Sequence, residues 1–236
     1  MHHAPRFWTV ISVIIPVLNE EARIAQRLTE LAAMEHIHEV RVVDGGSTDS
    51  TVERARAFPG VSVLTAPRGR ASQMNTGAEG ARGSVLLFLH ADVALPADAP
   101  RHITTALEDP RVVAGAFKTW TVDDAGRSRL GPLLHLADLR SRYTRFPYGD
   151  QALFIRAEAF RAVGGFPAQP LMEDLELSRR LWKLGRICTV DARVTVSGRR
   201  FLARPVFYFL AVNGFPLLYR LGVSPHTLLR LYQHVR

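Results

Sequence analysis

Two short polar segments have the residue types to bind a nucleotide together. Pro16-Val-Leu-Asn-Glu20 and Asp44-Gly-Gly-Ser-Thr-Asp49 each follow a run of β-branched residues. A carboxylate at the end of a strand can accept hydrogen bonds from a ribose hydroxyl or a base N–H, and adjacent glycines let the backbone approach a flat ligand. Capping is the alternative role, because Asn, Ser, Thr and Asp all cap helices well. Since the two segments occupy matching positions after neighbouring strands, they favour a nucleotide site.

His90-Ala-Asp92 follows the most apolar run of the first half and has the residue types to hold a divalent cation. An acidic residue directly after a buried strand does not contribute to packing of the hydrophobic core. With a diphosphate present, Asp92 could hold Mg²⁺ or Mn²⁺ against phosphate oxygens, since hard cations take oxygen ligands and keep several waters. His90 could be a second ligand, which suits Mn²⁺ better than Mg²⁺. The alternatives are a turn role for Asp92 and an ordinary hydrogen-bonding role for His90.

Two acidic segments of the second half are candidates for general base catalysis. Gly149-Asp-Gln151 is followed by Glu173-Asp174, which opens a predicted helix. Helix capping and the helix dipole would explain both acids at 173 and 174. One of these carboxylates could instead act as a general base beside a reacting group.

Two basic segments have the residue types to bind an anion. Arg70, Gln73 and Asn75 lie at the start of a predicted helix, from which they could reach a base or a phosphate. Ser197-Gly-Arg-Arg200 is a basic segment after a predicted strand. Its arginines could contact a diphosphate as negative charge develops on this leaving group. A solvated surface is the alternative for both segments.

An alternation of predicted strands and helices positions the segments of the first half. Residues 10–15, 39–43, 61–64 and 85–89 predict strands, and amphipathic or small-residue helices fall between them, the last at 71–82. Pro16 is expected to end the first strand, and Asn19 is a candidate N-cap. This order predicts a doubly wound parallel sheet, in which ligands bind beyond the carboxyl ends of the strands.

The second half is less regular. Residues 112–118, 152–155 and 189–196 predict strands, and residues 173–184 predict a helix. Residues 204–219 are apolar and aromatic, and a short helix is predicted at 225–234. We find no repeat or low-complexity linker, so one domain with a C-terminal appendage is expected.

The composition excludes several classes of protein and favours some kinds of binding partner over others. The 236 residues are 47% hydrophobic and 22% charged, which excludes collagen-like, coiled-coil and wholly disordered chains. A single cysteine, Cys188, excludes an internal disulfide and a cysteine-cluster metal site. The net charge of +8 favours anionic partners such as nucleotides or phospholipid surfaces, but the basic residues are scattered and no nucleic-acid motif accompanies them. No nucleic-acid partner is therefore expected.

The location is predicted from the two ends of the chain. The N-terminus lacks the charged, apolar and small-residue regions of a secretory signal, so a cytoplasmic protein is expected. The apolar stretch 205–219 is shorter than the roughly 20 residues of a spanning helix. We expect this stretch to be buried or interfacial, which leaves open peripheral contact with the inner face of a membrane, or a homodimer, through the tail.

Four motifs, in order, resemble those of family 2 glycosyltransferases with the GT-A fold. They are Ser12-Val-Ile-Ile-Pro-Val-Leu-Asn-Glu20, Val43-Asp-Gly-Gly-Ser-Thr-Asp-Ser-Thr51, Phe88-Leu-His-Ala-Asp92 and Glu173-Asp174. The resemblance covers about residues 9–201. The details at 90–92, 149–151 and 197–201 are most similar to the bacterial subgroup of arsenosugar-biosynthesis glycosyltransferases.

The resemblance implies an α/β fold of the GT-A (Rossmann-like) type, with a mostly parallel sheet flanked by helices and a short helical C-terminal appendage. The implied division is a glycosyltransferase domain at 1–203, with a nucleotide-binding half at about 9–92 and an acceptor half at about 93–203, followed by the appendage at 204–236.

The resemblance also implies a function. The expected activity is inverting, metal-dependent transfer of a sugar from a UDP- or GDP-linked donor to an acceptor hydroxyl, with a lipid-linked acceptor left open. Asp174 matches the catalytic base, Asp92 and His90 would hold Mg²⁺ or Mn²⁺, and Asp150, Gln151 and Glu173 would lie on the acceptor side. The expected donor-binding residues are Pro16, Asn19, Glu20, Asp44, Gly45, Arg70, Asn75, Ala91, Asp92, Arg199 and Arg200.

Two departures from the family pattern matter. His90 stands where the first acid of the metal motif is usual, which affects the identity and affinity of the metal. The tail lacks the Gln-x-x-Arg-Trp motif of processive polysaccharide synthases, so a single transfer is expected.

Two other functions compete with this one. A sugar nucleotidyltransferase would need a Gly-rich phosphate loop with a basic residue after the first strand, where this chain has the acidic Val17-Leu-Asn-Glu-Glu21. A non-enzymatic protein that binds anionic surfaces would show salt-sensitive binding without nucleotide-sugar binding.

Overall fold

The computed structural model describes residues 9–124, 135, 138, 141 and 145–233. A single eight-stranded sheet with the order β3-β2-β1-β4-β7-β6-β8-β5 runs through these residues. Helices cover both of its faces. Two clusters of buried side chains, one on each face, form the core.

The elements are numbered along the described residues. The strands are β1 (Ile11–Val17), β2 (Ile37–Asp44), β3 (Val61–Thr65), β4 (Val85–Phe88), β5 (Val93–Ala94), β6 (Val112–Val122), β7 (Leu153–Arg156) and β8 (Arg186–Ser197). The helices are α1 (Glu21–Ala32), α2 (Thr51–Arg56), α3 (Arg70–Ala78), α4 (Ala99–Ala106), α5 (Ala157–Ala162), α6 (Glu173–Leu181), α7 (Arg199–Ala203), α8 (Pro205–Arg220) and α9 (Pro225–Gln233), with a 3₁₀ turn at Gly149–Gln151.

The first half forms a parallel sheet, as the alternation of strands and helices predicts. β1 pairs in parallel with β2 and with β4, and β2 pairs in parallel with β3. β1 and β4 are buried on both faces, which explains their continuous apolar sequences. The carboxyl ends of β1, β2 and β4 therefore meet at one edge of the sheet.

The second half makes the sheet mixed, where the alternation predicted a parallel one. β7 pairs antiparallel with both β4 and β6, whereas β6 and β8 pair in parallel over most of their length. β7 therefore joins the two halves inside one sheet. The expected fold class, an α/β sheet flanked by helices with a helical C-terminal part, is confirmed. The division into domains stays a prediction.

Several predicted boundaries are wrong. The helix predicted at 173–184 ends at Leu181, and the strands predicted at 112–118 and 189–196 are longer, at Val112–Val122 and Arg186–Ser197. Two further differences have a local cause. β1 does not end before Pro16 but runs to Val17. Its pairing with β4 stops at Ile14, so the N–H that Pro16 lacks costs no bond on that side. The helix predicted at 71–82 ends at Ala78, because Glu79 is extended and Gly80 takes a left-handed φ of 70°.

The C-terminal residues form helices α7, α8 and α9. Ala211 and Phe215 of α8 pack against Leu228 of α9, and these three buried residues make a small core of their own. Within the described part of the chain, no helix reaches the length and apolar character needed to cross a membrane.

Candidate functional site

The ends of β1 and β2 are tied together by Asn19. Its side-chain oxygen accepts a hydrogen bond from the N–H of Thr48 at 2.8 Å, and its own N–H donates to the Ser47 hydroxyl at 2.9 Å. Asn19 has a left-handed φ of 55°, and the N-cap position of α1 belongs to Glu20. The expected N-cap role of Asn19 is therefore wrong, because its side chain joins two loops.

Asp44 closes the loop that follows β2. Its buried carboxylate accepts hydrogen bonds from the N–H groups of Gly46 at 3.0 Å and Ser47 at 3.1 Å. This geometry holds the loop in one conformation and leaves the carboxylate with further lone pairs.

Gln73 fixes the neighbouring strand ends from α3. Its amide donates to the backbone oxygens of Val17 and Val43, both at 2.8 Å. A Cβ on Gly45 would lie 2.9 Å from the Gln73 side chain, so Gly45 leaves the room that this amide needs.

A large cleft of about 1100 Å³ lies at this carboxyl edge. It is lined by residues that follow β1 and β4 and by the exposed face of α3. The predicted site residues in its lining are Pro16, Asn19, Glu20, Arg70, Asn75, His90, Ala91, Asp92 and Glu173.

A smaller cavity of about 240 Å³ adjoins the large cleft. Asp150, Glu173 and Asp174 form its acidic side. Arg70, His90, Asp92 and Glu173 line both spaces, so the two spaces share a charged wall.

Asp174 is the carboxylate of the small cavity that the backbone holds most firmly in place. One of its oxygens accepts a hydrogen bond from the N–H of Gly149 at 2.7 Å, and the other accepts from the N–H of Leu175 at 2.7 Å. It also lies in the first turn of α6, where the helix dipole favours negative charge.

Gly149 lies next to the side chains of both His90 and Asp174. A Cβ at this position would lie 3.0 Å from the His90 Nε2 atom and 3.6 Å from an Asp174 carboxylate oxygen. Any side chain here would push the imidazole away, so the glycine is what allows His90 and Asp174 to approach each other.

Glu173, next to Asp174, is a different kind of acid. Only 4% of its surface is exposed. Burial and, to a smaller extent, the charge of Asp174 raise the pKa of Glu173 to about 7, although the charge of Arg70 acts in the opposite direction. Burial therefore favours the protonated form of Glu173.

Arg70 is the cation of the shared wall. Two opposing effects act on the pKa of Arg70. The residue keeps exposed surface, but protein atoms around its guanidinium desolvate it, and this effect alone would lower the pKa. Three carboxylates outweigh that effect, so the pKa of Arg70 lies above its ordinary value. In order of effect they are Glu173, Asp92 and Asp174.

The state of Glu173 predicts a pH dependence of stability. We expect the free energy of unfolding to fall as the pH rises from about 4.5 to about 7, because the folded chain keeps the Glu173 proton that the unfolded chain releases. Above this window the contribution of Glu173 is constant. Its size is on the order of 3 kcal/mol, measurable by denaturant titration at several pH values.

Glu173→Gln should remove this part of the pH dependence. Glu176→Gln is the matched control, because Glu176 lies on the same helix and pairs with Arg180 at 3.3 Å. The control should retain the wild-type fall. A Glu173→Gln protein that loses stability with pH as steeply as the wild type would show that Glu173 is already ionised in the folded state.

A divalent cation would find two candidate protein ligands at the shared wall. Asp92 offers a carboxylate and His90 an imidazole. Among the described residues, no group of three or more His, Cys, Asp or Glu side chains could hold a metal. This donor set fits a cation held jointly by the protein and a phosphate-bearing ligand, as is usual for Mg²⁺.

Four predicted residues whose side chains the structure describes lie outside the linings of both spaces: Asp44, Gly45, Gln151 and Arg199. Asp44 and Gly45 shape the loop behind the cleft, and Gln151 is buried, where its amide donates to the Phe117 oxygen at 3.0 Å. Arg199 begins α7 and is exposed, and Arg200 follows it in the same helix.

Asn75 lines the cleft but also has a structural role. Its amide makes two hydrogen bonds, both of 2.9 Å, with the backbone of Phe166. The side chain therefore joins α3 to the turn after α5.

The position of aromatic tail residues in the wall of the small cavity was not predicted from the sequence. Tyr208 and Phe215 of α8 and Tyr232 of α9 line it, and Tyr232 lines the large cleft as well. The aromatic composition of the tail was a visible signal, but no local pattern links it to the acids at 173 and 174.

The chain matches the sequence model described as Glycosyl transferase family 2 over residues 12–164. Undecaprenyl-phosphate 4-deoxy-4-formamido-L-arabinose transferase from Pseudomonas aeruginosa is 32% identical over 160 residues, which are 63% of this chain and 46% of that protein. Beta-monoglucosyldiacylglycerol synthase from Synechocystis is 25% identical over 202 residues, which are 74% of this chain and 41% of that protein. The chain thus spans somewhat less than half the length of these curated relatives.

The fold is similar to that of solved structures. Mannosyltransferase PcManGT from Pyrobaculum calidifontis, in complex with GDP-Man and Mn²⁺, superposes with a TM-score of 0.62 over 80% of this chain and 57% of that chain, at 24% identity. S. aureus TarS 1-349 in complex with UDP-GlcNAc has a TM-score of 0.62 over 79% of this chain and 58% of that chain, at 21% identity. At 24% and 21% identity, the similarity to these two structures shows a shared fold and nothing further.

Proposed function

The chain belongs to glycosyl transferase family 2, and from this premise we propose that it is an inverting glycosyltransferase that moves a sugar from a nucleoside diphosphate sugar to an acceptor hydroxyl. One observation carries the proposal. A large cleft at the carboxyl edge of the parallel strands meets a small acidic cavity at a wall that both share. A donor bound in the cleft would present its sugar to the acids of the cavity.

The size and position of the cleft support donor binding. Ligands of α/β sheets bind beyond the carboxyl ends of the strands, and a volume of about 1100 Å³ is ample for a nucleotide sugar. The two solved structures described above bind GDP-Man and UDP-GlcNAc, which supports a UDP- or GDP-linked donor without choosing between them.

Asp174 would act as the general base. Two N–H hydrogen bonds hold its carboxylate in place at the small cavity, whereas burial favours the protonated form of Glu173. Asp174 would take the proton of the acceptor hydroxyl as the acceptor oxygen bonds to the anomeric carbon. The bond from that carbon to the diphosphate oxygen breaks in the same step, and its electron pair leaves with the nucleoside diphosphate.

Arg70, together with a divalent cation held by Asp92, would bind the diphosphate. Arg70 lines both spaces and brings a positive charge to their junction. Mg²⁺ or Mn²⁺, when bound by Asp92 with or without His90, would supply Lewis-acid neutralisation of the phosphate oxygens. Arg70 lies in the linings and Arg199 does not, so Arg70 is the better-supported partner for the leaving group.

The acceptor side of the site is apolar and aromatic. The wall that faces the acids of the small cavity comes from α8 and α9 and includes Tyr208, Phe215 and Tyr232. Both curated relatives described above carry a lipid in their names. These two observations support an acceptor hydroxyl on a lipid-linked molecule. Assignment to the arsenosugar-biosynthesis subgroup stays a prediction.

Donor binding can be tested by thermal stability. UDP or GDP at 100 times its Kd should stabilise the folded chain by about 2.7 kcal/mol, which raises Tm by roughly 5–10 °C for a chain of this size. Asp44→Asn should reduce this rise, because Asp44 is proposed to accept a hydrogen bond from the base or the ribose. Asn is a sharper test than Ala, since its oxygen can still accept from the N–H groups of Gly46 and Ser47.

Asp109→Asn is the matched control, since Asp109 pairs with Arg111 and lines neither space. It should keep the full response to the nucleotide. If neither UDP nor GDP shifts Tm, with or without Mn²⁺, the proposed donor is wrong. If Asp44→Asn responds like the wild type, Asp44 serves only to hold its loop.

A further inference from the structure

Helix α8 has two apolar faces, of which the fold uses one. The inner face buries Ala211 and Phe215 against α9, and Tyr208 and Val212 line the small cavity. Because these side chains are held by the domain, only the opposite face of α8 is available to another molecule.

The outer face of α8 exposes large aliphatic side chains. Val206 and Leu221 are each 73% exposed, Leu210 is 61% exposed and Leu217 is 57% exposed. Their spacing of four, seven and four residues places them along one side of the helix. These four residues form what we term the outer stripe. Large apolar side chains exposed along one side of a helix mark an interaction site in a folded protein.

The segment of the chain that contains the outer stripe is rich in arginine and has no acidic residue. Seven arginines and no Asp or Glu follow Asp191, so this segment supplies seven of the eight net positive charges of the chain. Arg204 precedes α8, Arg220 ends it, and both are exposed. Arg204 lies at the helix N-terminus, where the helix dipole disfavours a cation, so the stability of α8 does not explain it.

We propose that the outer stripe is a docking surface for an anionic lipid bilayer. The four aliphatic side chains would enter the boundary between headgroups and acyl chains, while the flanking arginines would contact anionic headgroups. A second copy of this chain is a poorer occupant. Pairing of two outer stripes would bring arginine-rich segments together with no acid from either segment to neutralise them.

Vesicle flotation of the full chain tests the docking surface. The wild type should float with vesicles of phosphatidylcholine and phosphatidylglycerol at low salt, and bind phosphatidylcholine vesicles at least about tenfold more weakly. Binding should weaken at high salt, because the headgroup charges are screened. Arg204→Gln with Arg220→Gln should reduce affinity for the anionic vesicles by roughly twentyfold or more, since each arginine near such a surface contributes about fivefold.

Leu210→Glu with Leu217→Glu should lower vesicle affinity by more than tenfold, because each change removes apolar contact and adds repulsion. Leu184→Glu is the matched control, since Leu184 is 50% exposed on a different part of the surface and should keep wild-type binding. Unchanged Tm in all variants shows that they fold.

Several results would overturn the proposal. They are a wild type that does not float at low salt, a double glutamate variant that floats like the wild type, and a dimer that the glutamates dissociate while vesicle binding is absent. The docking surface does not depend on the proposed transfer reaction. Asp174→Asn should therefore bind vesicles as the wild type does, which separates failure of this proposal from failure of the catalytic one.

Discussion

Replacing Asp174 by Asn is expected to slow glycosyl transfer by on the order of 10²–10⁴-fold. An amide cannot take the proton of the acceptor hydroxyl, so the variant loses the proposed base while keeping the shape of the side chain. Its single oxygen can still accept the 2.7 Å hydrogen bond from Gly149, and the bond from Leu175 is lost. A loss of about 1 kcal/mol in stability is the expected structural cost.

The rate is measured as release of nucleoside diphosphate, with an acceptor preparation that supports wild-type turnover, and donor affinity is measured by calorimetry. Glu176→Gln is the control on the same helix and should keep the wild-type rate, because Glu176 pairs with Arg180 and lines neither space. If Asp174→Asn is active while Glu173→Gln or Asp150→Asn is not, the base is another of the acids. If all three variants are active, the proposed mechanism is wrong.

Replacing Asp92 by Asn should abolish the effect of a divalent cation on nucleotide binding. In the wild type, Mn²⁺ is expected to tighten UDP or GDP binding by about 10- to 100-fold, or roughly 1.4–2.7 kcal/mol. The reason is that Asp92 supplies the only carboxylate of the His90-Ala-Asp92 segment, at the wall that the cleft shares with the small cavity. A neutral amide is a much weaker ligand for a hard cation.

Calorimetric titrations with Mn²⁺ and with EDTA measure this effect without any acceptor. Asp98→Asn is the control, because Asp98 faces His102 at 3.1 Å and lines neither space. It should keep the full Mn²⁺ effect. Equal affinity of the wild type in Mn²⁺ and in EDTA would contradict the prediction and make nucleotide binding metal-independent. His90→Asp would then test whether the histidine in place of the usual acid is the cause.

The parallel half of the fold could be predicted because its signals are local. The continuous apolar sequences of β1 and β4 reflect burial on both faces, and β1, β2 and β3 are each followed by a helix. The loops at 16–20, 44–49 and 90–92 follow from this order, because the carboxyl ends of parallel strands meet at one edge.

The second half could not be predicted in the same way because its order depends on distant pairing. No local pattern indicates that β7 pairs with β4, or that β6 and β8 pair in parallel with two register shifts. The same limit applies to the site. Tyr232 contributes to the same cavity as Asp92, but only the folded chain brings these residues together.

Residues with two plausible roles were the hardest to predict. Gln151 has the polarity of a binding residue, yet it is buried, and both the nitrogen and the oxygen of its amide bond the backbone, at Phe117 and Tyr148. Asn75 similarly bonds the Phe166 backbone. A side-chain amide can hydrogen-bond either a ligand or the backbone of a loop, and the neighbouring residues in the sequence do not indicate which.

The position of β7 in the sheet has a consequence for the synthesis of the chain on the ribosome. All four residues of β4 are buried and apolar, and one edge of this strand is covered only when β7 is added. β7 begins about 65 residues after β4 ends, so at about 5–20 residues per second the edge stays open for roughly 3 to 13 s. During this interval the nascent chain presents an unpaired apolar edge that other strands can join. A chain cut after residue 92 would keep that edge open permanently.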